Sequence, residues 1–440
     1  MQKEKIIVGL DIGTTKICAL VGRKDEYGKL EILGMGKAPS EGVVRGVVVN
    51  IDKTVNAISQ AIQEAENEAN IDIRVVNVGI AGQHIESLTQ HGYITRSLDH
   101  DEITLEDVNR LTNEMYRTVT PAGKEIIHVM PQDYTVDGET GIKEPVGMSG
   151  VRLEADFNII TAQTSAIRNI NHCVKRCGLE IENLILEPIA SSMAVLTDEE
   201  KEAGVVLVDI GGGTTDVAIF HEGIMRHTAV IPFAGHIITA DIKQGLQVTD
   251  KNAETLKVKF GCAIADWIEE NQFVNVPGLP GRPAKEVSIR QLAHIIEARM
   301  QEIIELVHNE IVKSGYVGKL VGGIVVTGGG SQLRACQDIF QNMTTMDTRI
   351  GHPVEYLGRT KAETAKSPMF ATTVGLVLAG FRAIDDRYEK YIQMNSTNPR
   401  PSKNGKVEKT ATRSKDFFSR LIENTKRFLL DDVDDKKGNY

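Results

Sequence analysis

Basic charge is in short supply: 50 Lys and Arg stand against 60 Asp and Glu, a net charge of -10. A nucleic-acid binder needs a face that neutralises phosphates, so this balance argues against that class. Long apolar runs are also missing. No stretch reads as long enough to span a bilayer, and Met1–Lys5 leads straight into a strand pattern without a signal-peptide design, so a cytoplasmic chain is expected. The five cysteines, Cys18, Cys173, Cys177, Cys262 and Cys336, form neither a disulfide framework nor a zinc pattern. His172, Cys173 and Cys177 invite a metal reading, but Ile167, Ile170, Cys173, Val174 and Cys177 make one apolar helix face closed by Gly178, which favours core cysteine. What remains is ordinary for a soluble chain: 41% hydrophobic and 25% charged residues over 440 positions, enough for two domains or one duplicated domain.

Against that background one kind of motif stands out, a glycine turn between strand patterns. Val205–Phe220 is an apolar β run, a turn of Gly211, Gly212 and Gly213, and a second β run, with Asp209 and Asp216 at the two ends. Ile6–Leu20 spells a similar sentence, with Asp11 before Gly13, Thr14, Thr15 and Lys16. A third turn, Gly328–Gly330, follows the strand pattern ending at Thr327. Such turns aim several backbone N–H groups one way and let phosphate oxygens approach the chain closely. Thr14, Thr15, Thr214 and Thr215 add hydroxyl donors, and Lys16 supplies a point charge for a β- or γ-phosphate. Asp11, Asp209 and Asp216 would repel bare phosphates, so they imply Mg²⁺ between them, held through its waters. The third turn is expected to deliver a helix N-terminus, with Ser331 as cap, or to pass flat beneath a base. A Walker A loop and a Rossmann fingerprint are both lacking, because the two acid-bearing turns lead into strands and no Gly-Lys-Ser/Thr follows.

Strand and helix patterns alternate through both halves, so the expected class is α/β with two similar lobes. Residues 1–82 and 162–203 make the first lobe, against which 369–392 packs back; 83–161 is a small α+β insertion. Residues 204–235 and 314–368 make the core of the second lobe, and 236–313 its outer subdomain. Within these, Val274–Pro283 reads as a Pro/Gly loop, Lys319–Thr327 as a strand and Ser331–Phe340 as a helix. The Asn/Ser/Pro/Lys/Thr composition of 393–414 reads as a disordered linker. In 415–430, Phe417, Phe418, Leu421, Ile422, Phe428 and Leu429 share one helix face, flanked by Lys and Arg. Large aromatics beside basic residues suit an interfacial membrane helix; docking on the protein's own body or in a partner groove is the plainer reading. An acidic and polar end, 431–440, follows.

The glycine turns resemble the actin, sugar-kinase and heat-shock-chaperone superfamily: Gly9–Lys16 its first phosphate hairpin, Val205–Ile219 its second, Ile324–Leu333 its adenosine motif. Leu186–Leu196 and Ala371–Gly380 look like the helices that cross between lobes. The resemblance makes Glu254 and Lys257 candidates for a ribose and adenine clamp, and assigns Glu187 to orienting an attacking water. From the residues alone, Glu187 reads equally well as a carboxylate favouring a helix N-terminus. The early insertion and the linker ending in an amphipathic helix narrow the resemblance to the bacterial cell-division FtsA family, over about Lys5–Leu430.

That resemblance implies a two-lobed actin-like (duplicated ribonuclease H-like) fold and an ATP- and Mg²⁺-binding protein that is at most a weak ATPase. It implies a filament of like subunits, peripheral on the cytoplasmic face of the inner membrane at the division site. Its implied partners are the tail of the tubulin-like protein FtsZ, anionic lipids, and downstream division proteins reached through the insertion. Arg290 and Arg299 are the candidate FtsZ contacts, with two solvated arginines as the plainer reading. In that family the membrane helix usually sits at the very end, whereas here Asp431, Asp432, Asp434 and Asp435 follow it, and anionic lipid would repel them. A metabolic kinase and a chaperone ATPase are the competing classes. The first needs a general base for a substrate hydroxyl, which the sequence does not show, and the second a substrate-binding domain for which the tail is too short.

Overall fold

The computed structural model describes residues 5–96, 102–278, 280–360 and 362–396. Residues Met1–Asp386 cluster as one compact unit and Arg387–Tyr440 as another; the described part of the second is the helical stretch 387–396. The amphipathic segment 415–430 and nearly all of the linker lie outside the described residues. Residues 393–396, read as linker from composition, are helical.

Two sheets repeat one plan. In the first, Ile6–Ile12 and Lys16–Lys24 form an antiparallel hairpin, and Ile6–Ile12 pairs parallel with Val75–Ile80 on its other side. In the second, Val205–Ile210 and Thr215–His221 form the hairpin, and Val205–Ile210 runs parallel to Ile324–Thr327. These four central strands are buried almost end to end, which is why they read as continuous apolar runs and not as alternating ones. Glu180–Leu186 and Leu30–Pro39 extend the first sheet; Ile224–Ile231 and Thr348–Ile350 extend the second.

Helix Ile51–Ala69 covers the first sheet with Thr54, Ala57, Ile58, Ala61, Ile62 and Ala65, starting at the Asn50 cap and stopping where Asn70 turns left-handed at φ 55°. Helix Thr164–Arg176 buries Ala166, Ile167, Ile170, Cys173 and Val174; Cys177 sits half-buried at its end, before Gly178 at φ 75°. In the second lobe, Ile289–Ser314 buries Leu292, Ile296, Met300, Ile303 and Val307 against the sheet and against helix Gly235–Leu246.

Helices Glu187–Val195 and Ala371–Ser396 join the lobes and meet backbone to backbone. A Cβ on Gly375 would lie 1.8 Å from the Ala190 carbonyl oxygen, so only glycine permits this approach. The window Pro368–Asp385 is long and apolar enough to cross a membrane by length and composition, contrary to the sequence reading. It is 56% buried inside the protein, with Ala371, Val374, Val377 and Phe381 in the core between the sheets. Its hydropathy is that of a packed crossing helix.

The insertion is a four-stranded sheet ordered Glu86–Thr95, Arg152–Gln163, Lys124–Val136 and Glu139–Ile142, with helix Leu105–Met115 packed on it through Leu111. Thr104 and Asp107 cap that helix reciprocally, and the Asp107 carboxylate also accepts from Arg96 Nε at 2.9 Å. Lys124–Val136 is one strand of 13 residues whose register with Arg152–Gln163 shifts at two points. The insertion also reaches the second lobe. Arg226 donates through both terminal nitrogens to Asp133, at 2.7 and 3.2 Å, and Gln132 donates to the Met225 carbonyl at 3.2 Å. The Leu186 N–H, at the head of the first crossing helix, donates to His128 Nε2 at 3.0 Å. Burial lowers the His128 pKa to about 4, which keeps that nitrogen unprotonated and able to accept.

Four expectations are corrected. Part of Val274–Pro283 belongs to a hairpin, Phe273–Val276 with Lys285–Ser288, whose ladder is set by pairing that composition does not reveal. Only Ile324–Thr327 of Lys319–Thr327 is strand; Gly323 at φ 65° closes a turn before it. Leu357–Thr360, counted with the second lobe, pairs with Leu30–Pro39 and completes the edge of the first sheet. Ser331 caps no α-helix: Gly329–Gln332 is a single tight turn, Ser331 Oγ donates to the Gly328 carbonyl at 2.8 Å, and the helix starts at Cys336 after Ala335 at φ 62°.

Candidate functional site

The strand registers bring both hairpin tips to one place. Ile12 pairs with Ile17 and Ile210 with Thr215, so each tip is the stretch between them, Gly13–Lys16 and Gly211–Thr214. The tips touch across the lobes. A Cβ on Gly212 would lie 1.7 Å from Thr15 Oγ1 and one on Gly213 2.6 Å from Thr14 Oγ1. His236 fastens the second tip, its N–H donating to the Gly212 carbonyl at 2.8 Å while its ring lies 3.4 Å from Thr15 Oγ1.

Behind the tips opens a cleft of about 380 Å³, within the usual range of small-molecule sites. It is lined by Asp11, Gly13, Thr14, Thr15, Lys16, Glu187, Asp209, Gly211, Gly212, Gly213, Thr214, Asp216, Glu254, Lys257, Gly328, Gly329 and Gly330. The structure therefore gathers every nucleotide and metal candidate except Thr215. That residue is fully buried on the far side of its strand, and its hydroxyl donates to the Phe233 carbonyl at 2.8 Å. The two Thr-Thr pairs are thus not equivalent in register: Thr214 stands where Lys16 does, and Thr215 where Ile17 does.

Negative charge dominates the cleft floor. Burial raises the carboxyl pKa values of Asp11 and Asp209 and carries Asp216 to about 8, with the Asp209 charge adding to it. Glu187, on the first turn of its crossing helix, is raised well above the usual range by burial and by Asp11, Asp216 and Asp209 together. Asp216 Oδ2 accepts from Thr214 Oγ1 at 3.1 Å, and its Oδ1 is buried without a hydrogen-bond partner. Against these acids, Lys16 Nζ lies 3.8 Å from Asp11 Oδ2, donates to the Met369 carbonyl at 2.6 Å and sits over the Phe370 ring at 4.9 Å. Four crowded carboxylates, one with an orphaned oxygen, fit a divalent cation. No three such groups lie close enough to ligate one ion directly among the described residues.

At the other end of the cleft, Lys257 Nζ donates to the Gly235 carbonyl at 2.9 Å, Thr239 Oγ1 at 2.8 Å and Glu254 Oε2 at 2.7 Å. It ties helix Asp250–Phe260 to the start of helix Gly235–Leu246 and leaves the Glu254 side chain 43% exposed. Gly328 adopts φ 84°, and a Cβ there would lie 2.3 Å from Asp209 Oδ1. The third turn offers open backbone at Gly329, where a Cβ would meet nothing within 4 Å. The α-helix expected directly after this turn starts only at Cys336.

Several residues were not singled out from sequence. Ser191 donates to Asp209 Oδ2 at 2.7 Å, Thr372 to the same oxygen at 3.2 Å, and Thr373 to Asp11 Oδ2 at 3.3 Å. Their only sequence signal is a pair of hydroxyls in an otherwise apolar helix. Arg290 and Arg299 lie away from the cleft, on helix Ile289–Ser314. Arg299 forks onto Asp241 at 2.6 and 3.1 Å, and Arg290 pairs with Glu270 at 2.7 Å.

Comparison with known proteins agrees with this architecture. Residues 206–375 match the family model described as cell division protein FtsA, 82–161 that of the SHS2 domain inserted in FTSA, and 161–229 that of Hsp70 protein. Cell division protein FtsA of Pseudomonas aeruginosa is 43% identical over 386 residues, covering 88% of this chain and 92% of that protein. The Escherichia coli K12 protein of the same name is 37% identical over 86% of this chain and 90% of its own length, and that of Bacillus subtilis 35% over 86% and 84%. Among solved structures, the PilM–PilN type IV pilus biogenesis complex superposes with TM-score 0.63 at 15% identity, covering 85% of this chain and 98% of that one. MreB 5 of Spiroplasma citri bound to AMPPNP gives 0.52 at 15%, over 89% and 99%. The structural likenesses establish the actin-like fold, and identity along nearly the whole chain establishes the rest: this chain belongs to the FtsA family of actin-like cell-division proteins.

Proposed function

We propose that the chain binds ATP with Mg²⁺ between its lobes, polymerises on the cytoplasmic face of the inner membrane at the division site, and there anchors the FtsZ ring. The observation that carries the nucleotide reading is the pair of glycine tips in contact above a floor of four carboxylates. Gly13–Lys16 and Gly211–Thr214 offer backbone N–H groups to the phosphates, and Lys16 exchanges the Met369 carbonyl for a phosphate oxygen. Asp11, Asp209 and Asp216 would hold Mg²⁺ through its waters, and the ion offsets their charge and that of the phosphates. Glu187, facing the cleft, would orient an attacking water, and the activity proposed is that of a weak ATPase at most. Glu254 and Lys257 would take the ribose, and Gly328–Gly330 would lie beneath the base. A ligand gripped by both lobes biases the angle between them, and so the fit of one subunit onto the next in a filament.

The segment 415–430 supplies membrane contact through Phe417, Phe418, Leu421, Ile422, Phe428 and Leu429. Its linker of about 20 residues reaches on the order of 25 Å, and a filament multiplies weak single contacts. Deleting 415–430 is expected to leave ATP binding unchanged and to abolish co-sedimentation with anionic vesicles. Undiminished pelleting would refute the anchor.

The FtsZ tail is assigned to the surface around helix Ile289–Ser314, and downstream division proteins to the insertion. Of the two arginines, Arg290 is the better contact, since its side chain is 31% exposed on partners that are themselves 80% or more exposed. Arg299 braces its helix on Asp241. Arg290→Glu should weaken binding of an FtsZ tail peptide with no change in melting temperature. Arg299→Ala should instead lower stability by about 1–2 kcal/mol, measured by chemical denaturation.

A further inference from the structure

The two crossing helices come close enough for side chains to share partners. Where Gly375 rests on the Ala190 backbone, Ser191 Oγ and Thr372 Oγ1 approach to 3.1 Å, and both reach Asp209 Oδ2. The next residue, Thr373, points the other way. Successive helix positions differ by about 100°, and Thr373 Oγ1 lies 3.3 Å from Asp11 Oδ2. One lobe's metal-site aspartate is thus held by Thr372 and the other lobe's by Thr373. All three hydroxyl residues are buried, with Ser191 and Thr373 at 0% exposure. Each aspartate is held by its Oδ2. Asp209 Oδ1 lies against Gly328, where a Cβ would come within 2.3 Å of it, and Asp11 Oδ1 lies near the Gly13 turn.

We infer that Thr372 and Thr373 are positioning residues for the cation: adjacent hydroxyls on one crossing helix fix the rotamers of Asp209 and Asp11, one in each lobe, the two carboxylates that would hold the ion through its waters. The inference rests on the nucleotide–Mg²⁺ reading above and names the residues that would make the two half-sites act as one. The pair also gives the crossing helix a direct hold on both half-sites, so its placement and theirs are linked.

The test compares Thr372→Val, Thr373→Val and Thr372→Ser with wild type. Affinity for a fluorescent ATP analogue is measured with Mg²⁺ and with EDTA, beside melting of the nucleotide-free protein. Each valine variant is expected to lose about 10–100-fold of the affinity that Mg²⁺ adds, as removal of groups orienting metal ligands usually does. Affinity in EDTA should stay at the wild-type value, and the serine variant should recover most of the Mg²⁺ effect. Parallel losses with and without Mg²⁺, following a lower melting temperature, would reduce these threonines to packing and overturn the inference. So would an unchanged Mg²⁺ effect. A wild type that binds no nucleotide in either buffer would remove the nucleotide reading, and this inference with it.

Discussion

Gly375→Ala is expected to leave little folded protein at temperatures where the wild type is stable. The added Cβ would sit 1.8 Å from the Ala190 carbonyl oxygen and 2.3 Å from its carbon, both backbone atoms inside a helix. No side-chain rotation relieves such a contact, so the crossing helices must separate, and Ser191 and Thr372 with them. Overpacking in a core usually costs about 1–3 kcal/mol; against backbone the cost should exceed about 3 kcal/mol, a large part of the roughly 5–15 kcal/mol that holds a domain folded. The control is Gly329→Ala, where the new methyl meets nothing within 4 Å. Chemical denaturation should show a change near zero for that variant. Comparable stability of Gly375→Ala and wild type would mean that the helices do not meet as described.

The second large effect concerns Asp216, and it has two signs. Its Oδ1 is buried without a partner, its pKa stands at about 8 through burial and the neighbouring Asp209, and among the described residues no cation pairs with it directly. Asp216→Asn removes that ionisable carboxyl and keeps an acceptor for Thr214. A carboxyl whose pKa is raised by folding costs stability at every pH above its unfolded value, so at pH 7 the nucleotide-free variant should melt higher than wild type in EDTA. The same change deletes one anchor for the cation's water shell. Affinity for ATP with Mg²⁺ should fall about 100-fold, close to 2.8 kcal/mol. A variant that melts lower in EDTA and binds Mg²⁺-ATP normally would make Asp216 a structural residue only.

These residues also show what could be read from sequence and what could not. Asp11, Asp209 and the glycine tips were legible because a buried strand followed by Gly and an acid is a local pattern, and the pattern occurs twice. The two-lobed α/β class follows from that doubling. Thr215 was misjudged although the needed rule is local: neighbours in a strand face opposite sides, so with Thr214 and Asp216 on the cleft, Thr215 must face the core. Ser331 was misjudged because a serine after three glycines looks the same before a tight turn as before a helix. Leu357–Thr360 and the hairpin Phe273–Val276 were missed for another reason. Short strands are made by their partners, and the partner of the first begins at Leu30. Thr372 and Thr373 are the extreme case, since their meaning lies wholly in oxygens more than 150 positions away in the chain.

The return of the chain's end to its beginning has a consequence for how the protein is made. Thr373 bonds Asp11 across 362 positions, and Leu357–Thr360 closes the edge beside Leu30–Pro39. At ribosomal rates of about 5–20 residues per second, roughly 20–70 s separate synthesis of the first glycine hairpin from that of its last partners. Through that interval Gly9 lacks the helix that packs on it, and Leu30–Pro39 has an unpaired edge. The part of the protein that is born first is among the last to be finished, and a nascent chain stopped before residue 357 would carry a bare strand open to its neighbours.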